Sequence, residues 1–97
     1  MKKLFSVLTD DLEHCFVCKS NVVAIHHIFF GTANRKISEK YGFVVPLHPR
    51  WHTDSNDAVH KGNKELDLYL KRLAQTYYEE HYGTRAEFII EFGRSWL

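Results

Sequence analysis

The chain is short of three things: net charge, cysteine and long apolar runs. Its 97 residues carry 13 Lys and Arg against 12 Asp and Glu, a formal net charge of +1 with the histidines neutral. So even a balance excludes nucleic-acid binding by overall charge, and any basic footprint must be local. With only Cys15 and Cys18 present, the one disulfide available would close a strained small loop. The start, Met1 to Leu8, opens on lysines like a signal peptide, but its apolar stretch stops at Thr9-Asp10-Asp11, too short for a signal's apolar core. A cytoplasmic chain is therefore expected, in a compartment where thiols stay reduced, and metal ligation is the better reading of the pair. No segment approaches the roughly 20 apolar residues that span a membrane. Internal repeats and low-complexity tracts are absent as well.

What is there suits a single domain, residues 1–97, with one modest core near the size at which a metal commonly supplements apolar burial. The pattern predicts an α+β fold with a core over about 14–62 and packing helices over about 63–93. Residues 1–13 read as a packed arm. Cys15-Phe16-Val17-Cys18-Lys19-Ser20-Asn21 reads as a knuckle, with two thiols bracketing a tight turn. Val22 to Phe30, rich in β-branched and aromatic residues, predicts a strand. Gly31 to Gly42 lacks strand alternation and carries cations between two glycines, which predicts a long exposed loop with one helical turn. Phe43 to Leu47 predicts a second strand, with Pro46 favouring an edge.

His48 to His52 should turn into a helical segment running toward His60. Asn63 is a candidate N-cap for the longest helix, with Leu66, Leu70, Leu73 and Tyr77 as its apolar stripe. Tyr69 and Ala74 widen that stripe, while Asp67, Lys71, Arg72 and Glu79 fall elsewhere. Gly83 should end it. Thr84-Arg85-Ala86-Glu87 has capping-box form, so a last helix should reach Phe92 and stop at Gly93, packing through Phe88, Ile89 and Phe92.

The chemistry gathers around His26 and His27. Adjacent residues of a strand face opposite sides, so this pair requires two polar environments within one apolar segment. Cys15, Cys18, His48, His52 and His60 are further potential ligands around it, and a metal is the first cofactor to consider. His14 and His81 read as surface groups. Arg35, Lys36, Lys40 and Arg50 form the local basic cluster that the net charge conceals.

In order, the chain offers a thiol knuckle, a strand with His-His, a basic loop, a second strand and a helical segment with more histidines. The residues Cys15-x-x-Cys18, His26-His27-Ile28, Gly31-Thr32-Ala33-Asn34-Arg35-Lys36, Ser38 to Gly42, Val45-Pro46-Leu47, His52 and Val59-His60 carry a resemblance. With them the chain resembles the HNH, or ββα-metal, nucleases, and at closer range the phage-type recombination-enhancement nucleases and their short prophage relatives. That resemblance implies a ββα-metal core with a zinc-knuckle-like cysteine pair and C-terminal helices.

It also implies an endonuclease that hydrolyses phosphodiester bonds in DNA with weak sequence preference. His27 would be the general base. His26, His52 and His60 would hold one catalytic divalent cation, Mg, Mn, Ni or Zn. Arg35, Lys36, Lys40 and Arg50 would contact the DNA backbone. Cys15, Cys18 and His48 would hold a structural zinc, although relatives place a metal ligand where Trp51 stands and a fourth donor is needed. The middle Asn of the HNH name is replaced by Phe43, so its orienting role falls to a backbone group or to Asn34. Partners implied are DNA and a recombination or phage protein, with a homodimer compatible with so small a domain. The alternative is a non-catalytic zinc-binding module, for DNA or protein, on the same fold. Thiol redox chemistry is disfavoured, because Cys15 opens no clear helix and the pair lies in no βαβ pattern.

Overall fold

The chain pairs a two-stranded antiparallel sheet with four helices, an α+β arrangement, in a computed structural model that describes residues 4–52 and 63–97. In chain order the elements are β1 (Ala24–His27), α1 (Thr32–Tyr41), β2 (Val44–Leu47), α2 (Pro49–His52), α3 (Lys64–His81) and α4 (Arg85–Phe92). The expected helical run toward His60 lies, beyond His52, outside the described residues. Among the described residues no helix is long and apolar enough to cross a membrane.

β1 and β2 pair with His26 opposite Val45 and His27 opposite Val44. The first strand is shorter than the predicted Val22 to Phe30. At its far end Phe29 leaves the ladder, because its N–H and carbonyl both bond the Ser38 hydroxyl instead, at 3.1 and 2.8 Å. At its near end Val22 is exposed and its N–H turns to the Ser20 hydroxyl. Pro46 is tolerated because both strands of a two-stranded sheet are edges. Its carbonyl accepts the Phe16 N–H at 2.8 Å, docking the cysteine knuckle against β2.

The predicted loop between the strands is a ten-residue helix, α1. Its bracketing glycines are boundary signals. Gly31 (φ 98) starts it, and Gly42 in the left-handed region (φ 77) returns its N–H to the carbonyls of Ser38 and Glu39. Ala33, Arg35, Lys36, Glu39 and Lys40 form helix readily, and Ile37, Ser38 and Tyr41 make the inward face. A face that narrow, with a serine at its centre, has little apolar periodicity to read. The N-terminal arm closes over the helix end. Val7 N–H bonds the Gly42 carbonyl at 3.0 Å, and a Cβ on Gly42 would stand 2.5 Å from the Phe5 ring.

The C-terminal helices form where their caps predict. The Asn63 side chain accepts the Leu66 N–H, and Thr84 with Glu87 completes a capping box. The buried face of α3, however, is rotated from the expected stripe. Leu70, Lys71, Ala74, Gln75 and Tyr78 are buried, Leu66, Leu73 and Tyr77 only partly so, and Tyr69 is exposed. Polar groups go inward because the C-terminal segment satisfies them. Gln75 bonds the Ser95 hydroxyl and the Trp96 N–H. Lys71 lies between the rings of Phe30 and Trp96 with Asp67 on its ammonium at 2.8 Å. Ile89, expected in the core, is exposed beside the buried Phe88 and Phe92.

One apolar cluster joins the sheet to both helices. Cys15, Ile28, Phe29, Phe43, Val45 and Leu47 pack with Leu70, Ala74, Tyr78, Phe88 and Phe92. At its border the Glu91 carboxylate accepts the hydroxyls of Tyr41 and Tyr78, each at 2.6–2.7 Å. Burial and that carboxylate hold both phenols protonated, with Tyr41 pushed up to about 12.

Two outcomes follow for stability. Ser38→Ala strands the buried N–H of Phe29 and should cost about 1–3 kcal/mol in urea unfolding. The Tyr41 contribution to stability should be fully present below the ordinary phenol value of 10.0 and be lost as pH rises toward about 12, because only the unfolded chain releases the Tyr41 proton in that window. Urea midpoints from pH 8 to 12 check this, and Tyr41→Phe should flatten the decline.

Candidate active site

Strand alternation and one face of α1 build a cleft of about 780 Å³ beside the sheet. β1 contributes Ile25 and His27, two residues apart and so on one side. α1 contributes Arg35, Lys36 and Glu39, whose spacing puts them on neighbouring turns. Phe30, Gly31 and His52 complete the lining.

The central contact is between His27 Nε2 and Glu39 Oε1, at 2.9 Å. An ionised carboxylate only accepts, so the bond is donated by Nε2–H, and Nδ1 is the ring nitrogen left for another partner. The His27 side chain is 10% exposed and that of Glu39 38%, which places the bond at the cleft wall. Glu39 is held there by its neighbour Ser38, whose hydroxyl grips Phe29 while its carbonyl accepts the Phe43 N–H at 2.8 Å. Among the described residues the side-chain partner of His27 is Glu39, not the Asn34 that the resemblance offered. Phe43, at the position of the expected asparagine, is fully buried in the aromatic core.

His26 points the other way, 1% exposed, with its ring edge-on to His52 at a centroid distance of 5.2 Å. α2 brings His52 there: the N–H groups of Trp51 and His52 both bond the His48 carbonyl. His48 Nδ1 accepts the Arg50 N–H at 3.0 Å, so that nitrogen caps α2 and only Nε2 remains for another partner.

The knuckle is built around a sulfur. Cys15 Sγ accepts the N–H groups of Val17 and Cys18 at 3.4 Å each, and that of His48 as well. Burial pushes the Cys15 thiol up, but these donors outweigh it and hold the thiol below its ordinary value. Lys19, at φ 66, turns the chain back, and Cys18 is exposed.

Among the described residues, no group of three or more His, Cys, Asp or Glu side chains is placed to hold a metal ion. Of the expected ligands, His26 lies beside His52 and Cys15 beside Cys18, the His48 ring takes the Arg50 N–H on Nδ1, and His60 lies outside the described residues. Of the expected DNA contacts, Arg35 and Lys36 line the cleft and Lys40 and Arg50 do not. Lys40 is 3.9 Å from Glu91, and Arg50 lies over the Trp51 ring. His14 bonds Asp11 and His81 stacks on Tyr77, both at the surface.

Sequence reasoning missed Glu39, Ser38 and Phe30. Arg35, Lys36 and Glu39 at i, i+1 and i+4 were the available signal, visible only once the segment is known to be helical. A comparison with protein-family models, curated proteins and solved structures finds no match to the chain.

The thiols should differ in reactivity. Iodoacetamide should modify Cys18 in the folded protein and reach Cys15 only on unfolding, as mass spectrometry of timed samples with and without urea checks.

Proposed function

We propose that the chain is a metal-dependent DNA endonuclease of the ββα-metal (HNH) type, cutting phosphodiester bonds with weak sequence preference. The observation that carries this reading is the His27–Glu39 pair at the wall of a cleft also lined by Arg35 and Lys36. An imidazole oriented by a carboxylate suits a general base, and two cations lining the same cleft suit a phosphodiester.

In this reading His27 Nδ1 takes the proton from the attacking water. The Glu39 carboxylate stabilises the imidazolium that results, as its Nε2–H already points there. Arg35 and Lys36 hold the strand by its phosphates, which positions it without reading sequence. A divalent cation, when bound, stabilises charge on the scissile phosphate and the leaving oxygen.

The spacing of two imidazoles is compatible with such a cation. Two imidazoles on one tetrahedral ion, each nitrogen about 2.0–2.1 Å away, hold their ring centroids about 5 Å apart, and those of His26 and His52 are 5.2 Å apart. His26 and His52 would hold it, with His60 the third ligand that the resemblance implies.

A second reading, a zinc-binding module without catalysis, draws on the knuckle. Its N–H groups converge on Cys15 Sγ and favour a thiolate there, as a structural zinc requires. Cys18 and His48 Nε2 would be its further ligands.

Nicking of supercoiled plasmid separates the two. Metal-stripped protein given back Mg, Mn, Ni or Zn separately should nick with at least one of them. His27→Ala should lower the rate by about 10²-fold or more while DNA affinity is kept. Glu39→Gln, which keeps an acceptor but removes the charge, should cost about tenfold. Absence of nicking with every cation, with zinc or DNA binding intact, would favour the binding module.

A further inference from the structure

Phe30 is misplaced for a core residue. It follows Ile28 and Phe29, both essentially buried, yet it is 41% exposed and lines the cleft. The ring nevertheless has a charged neighbour. The Lys71 ammonium sits 4.7 Å from its centroid and 4.3 Å from that of Trp96, and its charge is held by Asp67. A lysine only 7% exposed is an unusual support, and here it lies against an aromatic ring that lines the same cleft as Arg35 and Lys36.

The remaining dimensions bear on what enters. A cleft of about 780 Å³ is the size that encloses one small organic ligand, room for about one or two nucleotides of a single strand. Among the described residues, Arg35 and Lys36 are the lysines and arginines that line it, and the chain as a whole carries +1. Duplex DNA bound by its surface relies on many phosphate contacts. Two cations and an exposed aromatic lining one cleft are instead the combination that holds an unpaired strand, with phosphates on the cations and a base on the ring.

We propose that Phe30 is a stacking platform for an unpaired DNA base, so that the strand held in the cleft is single-stranded. The inference rests on the reading of the cleft as a DNA site and adds the form of the substrate.

The test uses the full chain in EDTA, where cleavage does not intervene, and a short oligonucleotide carrying 2-aminopurine, alone or annealed to its complement. The single strand should bind about tenfold more tightly than the duplex, with 2-aminopurine fluorescence quenched on binding. Phe30→Leu, which keeps an apolar side chain without a π face, should lose the quenching and about tenfold in single-strand affinity. Phe30→Tyr should retain both, and circular dichroism verifies that each variant is folded. Equal affinity for the two forms, or quenching unchanged in Phe30→Leu, overturns the proposal. Phe30-dependent binding without metal-dependent nicking would sustain it and defeat the nuclease reading. Nicking with binding indifferent to Phe30 would do the reverse.

Discussion

A buried serine hydroxyl sets the geometry on which the cleft depends. Ser38 gives and takes a hydrogen bond with the backbone of Phe29, and its own carbonyl receives the Phe43 N–H. These three bonds fasten α1 to the ends of both strands. From the next position of the same helix, Glu39 reaches the strand that carries His27 and meets its Nε2 at 2.9 Å. Both polar groups of Phe29 are satisfied without continuing the sheet.

Strand alternation does the rest of the sorting. His26 and His27 are adjacent, so one is driven into the interior beside His52 and the other toward the cleft. Neither position would be tolerable for both rings. The interior accepts an imidazole where aromatic edges and a second histidine surround it, whereas the cleft supplies a carboxylate and solvent. At the other end of the sheet the knuckle follows the same logic with sulfur, as backbone N–H groups converge on Cys15 and offset the cost of its burial.

The two cap-defined helices and the strand pair were legible because their signals are local. Asn63, Thr84, Glu87 and Gly93 specify boundaries by hydrogen bonds within one turn. α1 was not legible, since the same glycines serve loops and helix ends alike and its inward face holds too few apolar residues to set a period. The buried face of α3 was misjudged for the opposite reason. Lys71 and Gln75 look like surface residues until residues 93–97 fold back to meet them, a tertiary event that hydropathy does not register. Of the candidate site, His27, Arg35, Lys36 and His52 were found from residue type and order. Glu39 and Phe30 needed the helix and the packing behind them.

The described lining of the cleft lies between Ile25 and His52. The excursion from His27 to Glu39 spans 12 positions and that from Phe29 to Ser38 spans 9. Loop-closure entropy grows only with the logarithm of length, so assembling these partners demands little from the unfolded chain. The two C-terminal helices enter late in sequence and touch the lining chiefly through Lys71 behind Phe30. The fold thus separates the segment that lines the cleft from the helices packed behind it, so substitutions on the outward faces of α3 and α4 fall away from the described lining.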